Sequence, residues 1–196
     1  MPASGFRAVE GGASTNGKWV IAVLDSSSEQ NLDQLPESHW VPYLLDLDTM
    51  KAVSVIGEIE TLGGYHGRPE KNVRAKWLPS GDAVCITWRI GRMNQDSSLF
   101  SVSDKGALSR VKLPNPLAKS DNLFEQLKPN SNSGRYFDGV TDKGDLRFIY
   151  YGFWPKKESF YQTPEGKVFD HNRIEVLFSS KEGQWKITSV SSKREV

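Results

Sequence analysis

Three stretches of the chain repeat one pattern, a polar turn closed by glycine that opens directly onto an apolar run. They are Ser14-Thr-Asn-Gly-Lys-Trp-Val-Ile-Ala-Val23, Leu78-Pro-Ser-Gly-Asp-Ala-Val-Cys-Ile-Thr87 and Thr141-Asp-Lys-Gly-Asp-Leu-Arg-Phe-Ile-Tyr150. Their glycines, Gly17, Gly81 and Gly144, are 64 and 63 residues apart by subtraction of their positions. Self-similarity at a near-constant period marks one supersecondary unit used repeatedly, each copy burying its apolar face against the next.

A second family of segments follows each of these turns. Tyr43 to Val55, Ser98 to Leu108 and Ile174 to Ile187 read as hairpins, with turns at Asp48-Thr49, Asp104-Lys105-Gly106 and Lys181-Glu182-Gly183. Glycine and short polar residues reach positive φ at little cost, which is what such turns need. The clearest strands are Val20 to Leu24, Ala83 to Trp88, Leu146 to Phe153 and Ile174 to Phe178, each a β-branched or aromatic run placed after a turn signal. Each unit then offers about four strands. The fold expected is all-β: a small or incomplete propeller-like array of about three four-stranded antiparallel sheets. It forms a single domain over residues 1–196, with approximate repeats 10–70, 71–135 and 136–196. One short helix is expected at Asp121 to Leu127, where Leu123, Phe124 and Leu127 recur at spacings of three and four ahead of Pro129.

The order of turn, glycine, buried strand and hairpin resembles the blades of WD40-type and TolB-type β-propellers, whose repeats carry a Pro-Asp-Gly turn before an apolar strand. Leu78-Pro79-Ser80-Gly81 is the nearest copy, with Ser in place of Asp, whereas Thr15-Asn16-Gly17 and Asp142-Lys143-Gly144 lack the proline. The Gly-His and Trp-Asp signatures of WD40 blades are missing. The resemblance implies a blade architecture in three patches. Propellers typically close with about four to eight blades, so three leave sheet edges to be covered. Coverage can come from the long connections at 26–41, 57–74, 114–137 and 154–171, from a protein partner, or from a second copy of the chain in a homodimer.

Composition narrows the partners. With 196 residues the chain is long enough for a sizeable core. Its 25 Lys and Arg balance 24 Asp and Glu, a formal charge of +1, so nucleic acid is not expected as a partner. The longest apolar runs, such as Trp19 to Leu24, are about six residues where a membrane span needs about 20, so no span is expected. The single cysteine, Cys85, sits inside the apolar stretch Ala83 to Trp88 and reads as a small core residue, with neither a disulfide framework nor a cysteine-rich metal site available. The Met-Pro-Ala-Ser-Gly-Phe start carries no basic segment followed by an apolar one, so no signal peptide is expected in this chain. Two compartments fit: the cytoplasm, or the periplasm or exterior for a mature form already trimmed of a leader.

Recognition residues are sought in the long loops, because loops on a rigid sheet scaffold carry most binding. Within Gly63-Gly-Tyr-His-Gly-Arg-Pro69, Tyr65, His66 and Arg68 offer an aromatic face, a titratable ring and a bidentate donor, against the plainer reading of a solvated glycine-rich turn. In the aromatic text from Tyr150 to Tyr161, strand alternation sends Tyr150 and a neighbour inward and leaves Trp154, Phe160 and Tyr161 as surface anchors.

Catalysis has less support. No Gly-x-Ser-x-Gly elbow is present, and His39, His66 and His171 lie too far apart for a metal-binding pair, so no metal and no cofactor are expected. Asp46 with Asp48, or Glu58 with Glu60, share a strand face at i and i+2, but such surface pairs are ordinarily solvated. The reading with most support is a non-catalytic protein-binding module, in its sharper form an inhibitor or immunity-type protein that blocks a partner enzyme. The alternative is a carbohydrate-acting or other hydrolytic enzyme with a funnel-shaped site.

Overall fold

The structure, a computed structural model, describes residues 5–24, 42–57, 59, 72–90, 94–116, 127–155, 172–181 and 183–194. Among them every extended regular element is a strand. The chain divides into two bodies, residues 1–111 and 112–196.

The first body holds two four-stranded antiparallel meanders. One is β1 (Phe6–Ala13), β2 (Trp19–Leu24), β3 (Pro42–Asp46) and β4 (Lys51–Val55). The other is β5 (Val73–Trp77), β6 (Ala83–Arg89), β7 (Gln95–Val102) and β8 (Leu108–Arg110). A parallel bridge at Glu10 and Arg74 joins β1 to β5, so the order across both meanders is β4-β3-β2-β1-β5-β6-β7-β8. The second body is a third meander, β9 (Leu127–Val140), β10 (Leu146–Pro155), β11 (Asn172–Lys181) and β12 (Gln184–Arg194). The C-terminal strand pairs with β11 and so completes its own sheet. The fold is thus all-β and propeller-like, built from three blade-sized antiparallel units.

Period-two alternation explains why β2 and β6 read as unbroken apolar runs. Trp19, Ile21 and Val23 of β2 and Val84, Ile86 and Trp88 of β6 enter one core with Leu44, Val73, Ala75, Trp77, Phe100 and Val102. The first two meanders therefore share their interior. The intervening residues Val20 and Ala22 turn to the other face of the first meander, where they pack with Leu45, Phe6, Tyr43 and Leu47. Strands buried on both faces lose the polar half of the alternation, and this leaves the continuous runs seen in the sequence. Cys85 is buried, as its apolar neighbours predict.

The recurrent turns have one geometry. Gly17, Gly81 and Gly144 have φ of 71°, 73° and 83°. Each donates its N–H to a carbonyl three residues back, on Ser14, Leu78 and Thr141, at 3.0, 2.9 and 2.9 Å. The first two turns also bond to each other: Thr15 Oγ1 donates to the carbonyls of Leu78 and Pro79, and Asn16 Nδ2 to that of Gly81. A buried bond beside them, Trp77 Nε1 to the Gly12 carbonyl at 2.7 Å, ties the second meander to β1.

In the hairpin turns the left-handed position is Gly106 in the second meander and Gly183 in the third, but Met50 in the first, at φ 52°. A side chain there carries a steric penalty of about 1–2 kcal/mol that glycine escapes. The turn is held nonetheless by Met50 N–H donating to the Asp46 carbonyl at 2.8 Å and by Thr49 N–H and Oγ1 donating to Asp46 Oδ1. Met50→Gly should stabilise the protein by about 0.5–1 kcal/mol once glycine's larger unfolded-state entropy is subtracted. A higher urea midpoint at unchanged slope is the expected readout, and a lower midpoint would contradict it.

In the third meander the ring of Phe148 lies 5.3 Å from that of Phe137, tilted at 53°, and 5.5 Å from that of Phe178, edge to face, with Leu146, Ile174 and Val176 also buried. On the other face Arg147 Nε approaches Asp138 Oδ2 to 2.7 Å and Nη1 lies 4.0 Å from Glu175. The Nε–H is out of line for a directed hydrogen bond, so that close pair is held by charge.

Two expectations need correction here. The stretch 114–137, read as a connection, becomes strand from Leu127 onward. Its polar Asn-Ser-Asn-Ser-Gly text, residues 130–134, lacks alternation, yet pairing with the aromatic strand β10 overrides local propensity, with irregular register at Arg147/Phe148 and Tyr151/Phe153. Leu127, expected to end a helix, opens β9; the rest of that expected helix, residues 121–126, lies outside the described residues.

Candidate functional site

Most residues singled out from the sequence fall where the structure is not described: Tyr65, His66, Arg68, Phe160 and Tyr161 all lie outside the described residues, as do Glu58, Glu60 and the three histidines. Trp154 is placed by its backbone in β10, opposite Lys128 of β9. Tyr150 and Phe153 are both buried, although three residues apart, because the register of β10 shifts between them, and Arg135 Nη1 donates to Tyr150 Oη at 3.4 Å. Asp46 is a turn cap. Its carboxyl is held below the ordinary carboxylate range, chiefly by the Thr49 N–H and then the Thr49 hydroxyl, the reverse of what a proton donor needs. Among the described residues no group of three His, Cys, Asp or Glu is placed to hold a metal ion, and no helix is long and apolar enough to cross a membrane.

Two surface features remain in the first body. The first is β4, the terminal strand of the eight-stranded order. Ser54 faces the second meander and donates to the Gly106 carbonyl at 2.6 Å, which anchors the strand. Val53 and Val55, by contrast, are 45% and 57% exposed, with Met50 exposed at the turn that precedes them. Val55 sits opposite Tyr43, which makes an edge-to-face contact with Phe6 at 5.1 Å. Among the described strands none lies beyond β4, so one row of its backbone N–H and C=O groups has no sheet partner.

The second feature is a cleft of about 230 Å³ on the second meander, lined by Asn72, Arg74, Thr87, Trp88, Arg89 and Gln95. Antiparallel register sets its walls: Arg74 pairs with Thr87, Thr87 with Ser97, and Arg89 with Gln95, while Arg89 N–H donates to the Asn72 carbonyl. Thr87 Oγ1 and Ser97 Oγ lie 2.6 Å apart, which fixes both hydroxyls on this face, opposite the shared core. Arg74 Nε meets Glu10 Oε2 at 2.9 Å across the β1–β5 bridge.

Neither feature announces itself in the sequence. Lys51-Ala-Val-Ser-Val55 reads as an ordinary hairpin arm, and Arg74 sits in a strand whose five residues alternate buried and exposed inside a stretch that looks like connection. The Val73-Arg-Ala-Lys-Trp77 alternation was the available signal.

No family model and no curated protein matches the chain. Among solved structures, TolB from Acinetobacter baumannii shows a weak likeness of fold, with a TM-score of 0.38 and 15% identity. The match covers 98% of this chain and 35% of that one, so the chain spans about a third of that protein's length.

Proposed function

We propose that the chain is a protein-binding module whose edge strand β4 receives an extended segment of a partner polypeptide. The observation that carries this reading is the pair of exposed β-branched side chains, Val53 and Val55, on a strand at the end of a sheet. Natural sheets usually protect such edges with charge, proline or shortness. The other end of this sheet follows that rule: β8 has three residues, Leu-Ser-Arg. Strand addition would satisfy the open backbone row and bury both valines, while the Phe6–Tyr43 pair provides a rigid aromatic flank. A blade edge used in this way suits an inhibitor or immunity-type protein that occludes an enzyme, and the same edge could pair with a second copy of the chain. Kinship of the blades with WD40- or TolB-type modules belongs to this reading.

The experiment is capture of partners from the source organism by the wild type and by Val53→Lys/Val55→Lys, with light scattering on both. Both positions are exposed, so the double variant should keep its fold. Wild type should retain a partner, or run at twice 22.0 kDa if the partner is a second copy. The variant should lose that association by roughly tenfold or more. Equal capture and equal mass for a folded variant would remove β4 as the docking edge.

A further inference from the structure

The cleft on the second meander has the chemistry of an anion site. Arg74 and Arg89 stand on neighbouring strands, two residues apart in register, as diagonal neighbours whose backbones lie about 7–8 Å apart. Among the described residues that line the cleft none is acidic. Glu10 meets Arg74 at Nε, and both side chains are largely exposed, at 64% for Arg74 and 72% for Glu10. Among the described residues no hydrogen bond or ion pair engages the Arg89 guanidinium. Asp96, the nearest acid along β7, pairs with Trp88 and belongs to the opposite face, where its carboxylate accepts the Ser97 N–H. Among the described residues, Arg74 and Arg89 on this wall are therefore set against one exposed acid, Glu10. Neutral hydrogen-bonding groups stand between them, the Thr87–Ser97 hydroxyl pair and the amides of Asn72 and Gln95.

We infer that this cleft binds a small oxyanion, a carboxylate or phosphate, gripped between Arg74 and Arg89 and oriented by Thr87 and the flanking amides. Guanidinium forks match planar oxyanions with two parallel N–H donors, and such charge-assisted bonds are about twice as strong as neutral ones. A volume of about 230 Å³ is below the range of about 300–1,000 Å³ typical for drug-sized ligands, so the occupant is small. The chain's net charge of +1 gives no extended field, which fits a compact anion rather than a polyanion.

The test is titration of the full chain with inorganic phosphate and, separately, with succinate. Ionic strength is held constant with sodium chloride, and the arginine Nε–H and backbone signals of Asn72 to Trp77 and Thr87 to Gln95 are followed by NMR. Saturable shifts confined to these residues are expected for at least one anion. Arg89→Gln should weaken binding by roughly tenfold, the loss of one charge-assisted pair. Arg89→Lys keeps the charge but not the fork, and should recover only part of the affinity. Arg89 touches neither the β1–β5 bridge nor the core, so these variants should stay folded, as unchanged circular dichroism would verify. Tighter binding of phosphate would assign a phosphate ligand, and tighter binding of succinate a carboxylate one. Shifts that drift linearly for both anions, or identical curves for wild type and Arg89→Gln, would overturn the site.

Discussion

Gly11→Ala should destabilise the first body by about 2–5 kcal/mol, the sum of a left-handed backbone penalty and the strain of overpacking. Gly11 has φ 68°, and a Cβ built on it would meet the Ala75 carbonyl oxygen at 2.1 Å, far inside contact distance. The obstacle is backbone of the neighbouring strand, so no side-chain rotation relieves it. Relief requires β1 and β5 to separate, and that opens the seam held by the Glu10–Arg74 pair and the Trp77–Gly12 bond. Gly17→Ala is the matched control. It has nearly the same φ, 71°, but nothing within 4 Å of the added carbon, so it should show the backbone penalty alone, about 1–2 kcal/mol. Chemical denaturation of the two variants against wild type decides the matter. If Gly11→Ala is no worse than Gly17→Ala, the close approach of the two inner strands is not a constraint on folding.

The same seam shows what could be read from the chain beforehand. The turns at Gly17, Gly81 and Gly144 were legible because a positive φ before a buried strand restricts residue choice severely. The strands β2, β6, β10 and β11 were legible because burial on one or both faces leaves apolar text. The first strand of each meander was not. Phe6–Ala13 contains Gly11 and Gly12, which a propensity argument counts against a strand, whereas here glycine is required by the backbone of β5. β9 is hidden by its polar residues, and β5 by two basic residues that alternate outward. The candidate cleft was invisible for a related reason: Asn72, Arg74, Thr87, Arg89 and Gln95 come together through lateral register across three strands, and register is not written in any one of them. The edge β4 was legible as a strand but not as an exposed one, because exposure depends on where the sheet ends.

Phe148→Ala should cost about 3–5 kcal/mol, the range for emptying a packed aromatic site. Phe148 is 1% exposed, and its ring lies 5.3 Å from that of Phe137 and 5.5 Å from that of Phe178, the latter nearly perpendicular at 84°. Substitution removes the transfer energy of the ring and both ring contacts, one tilted and one edge-to-face, the latter adding about 0.5–1.5 kcal/mol beyond buried area. Phe148→Leu, which keeps most of the volume, should cost well under half as much. The loss should also be local. The three rings come from β9, β10 and β11, whereas the described residues of the core shared by the first two meanders lie between Val9 and Leu108. Amide hydrogen exchange on Phe148→Ala should therefore lose protection across β9 to β12 first, with β2, β6 and β7 keeping theirs under mildly destabilising conditions. Simultaneous loss in both bodies would mean that the third meander owes its stability to the first two rather than to its own aromatic core, and unchanged protection throughout would mean that the Phe148 ring adds little to it.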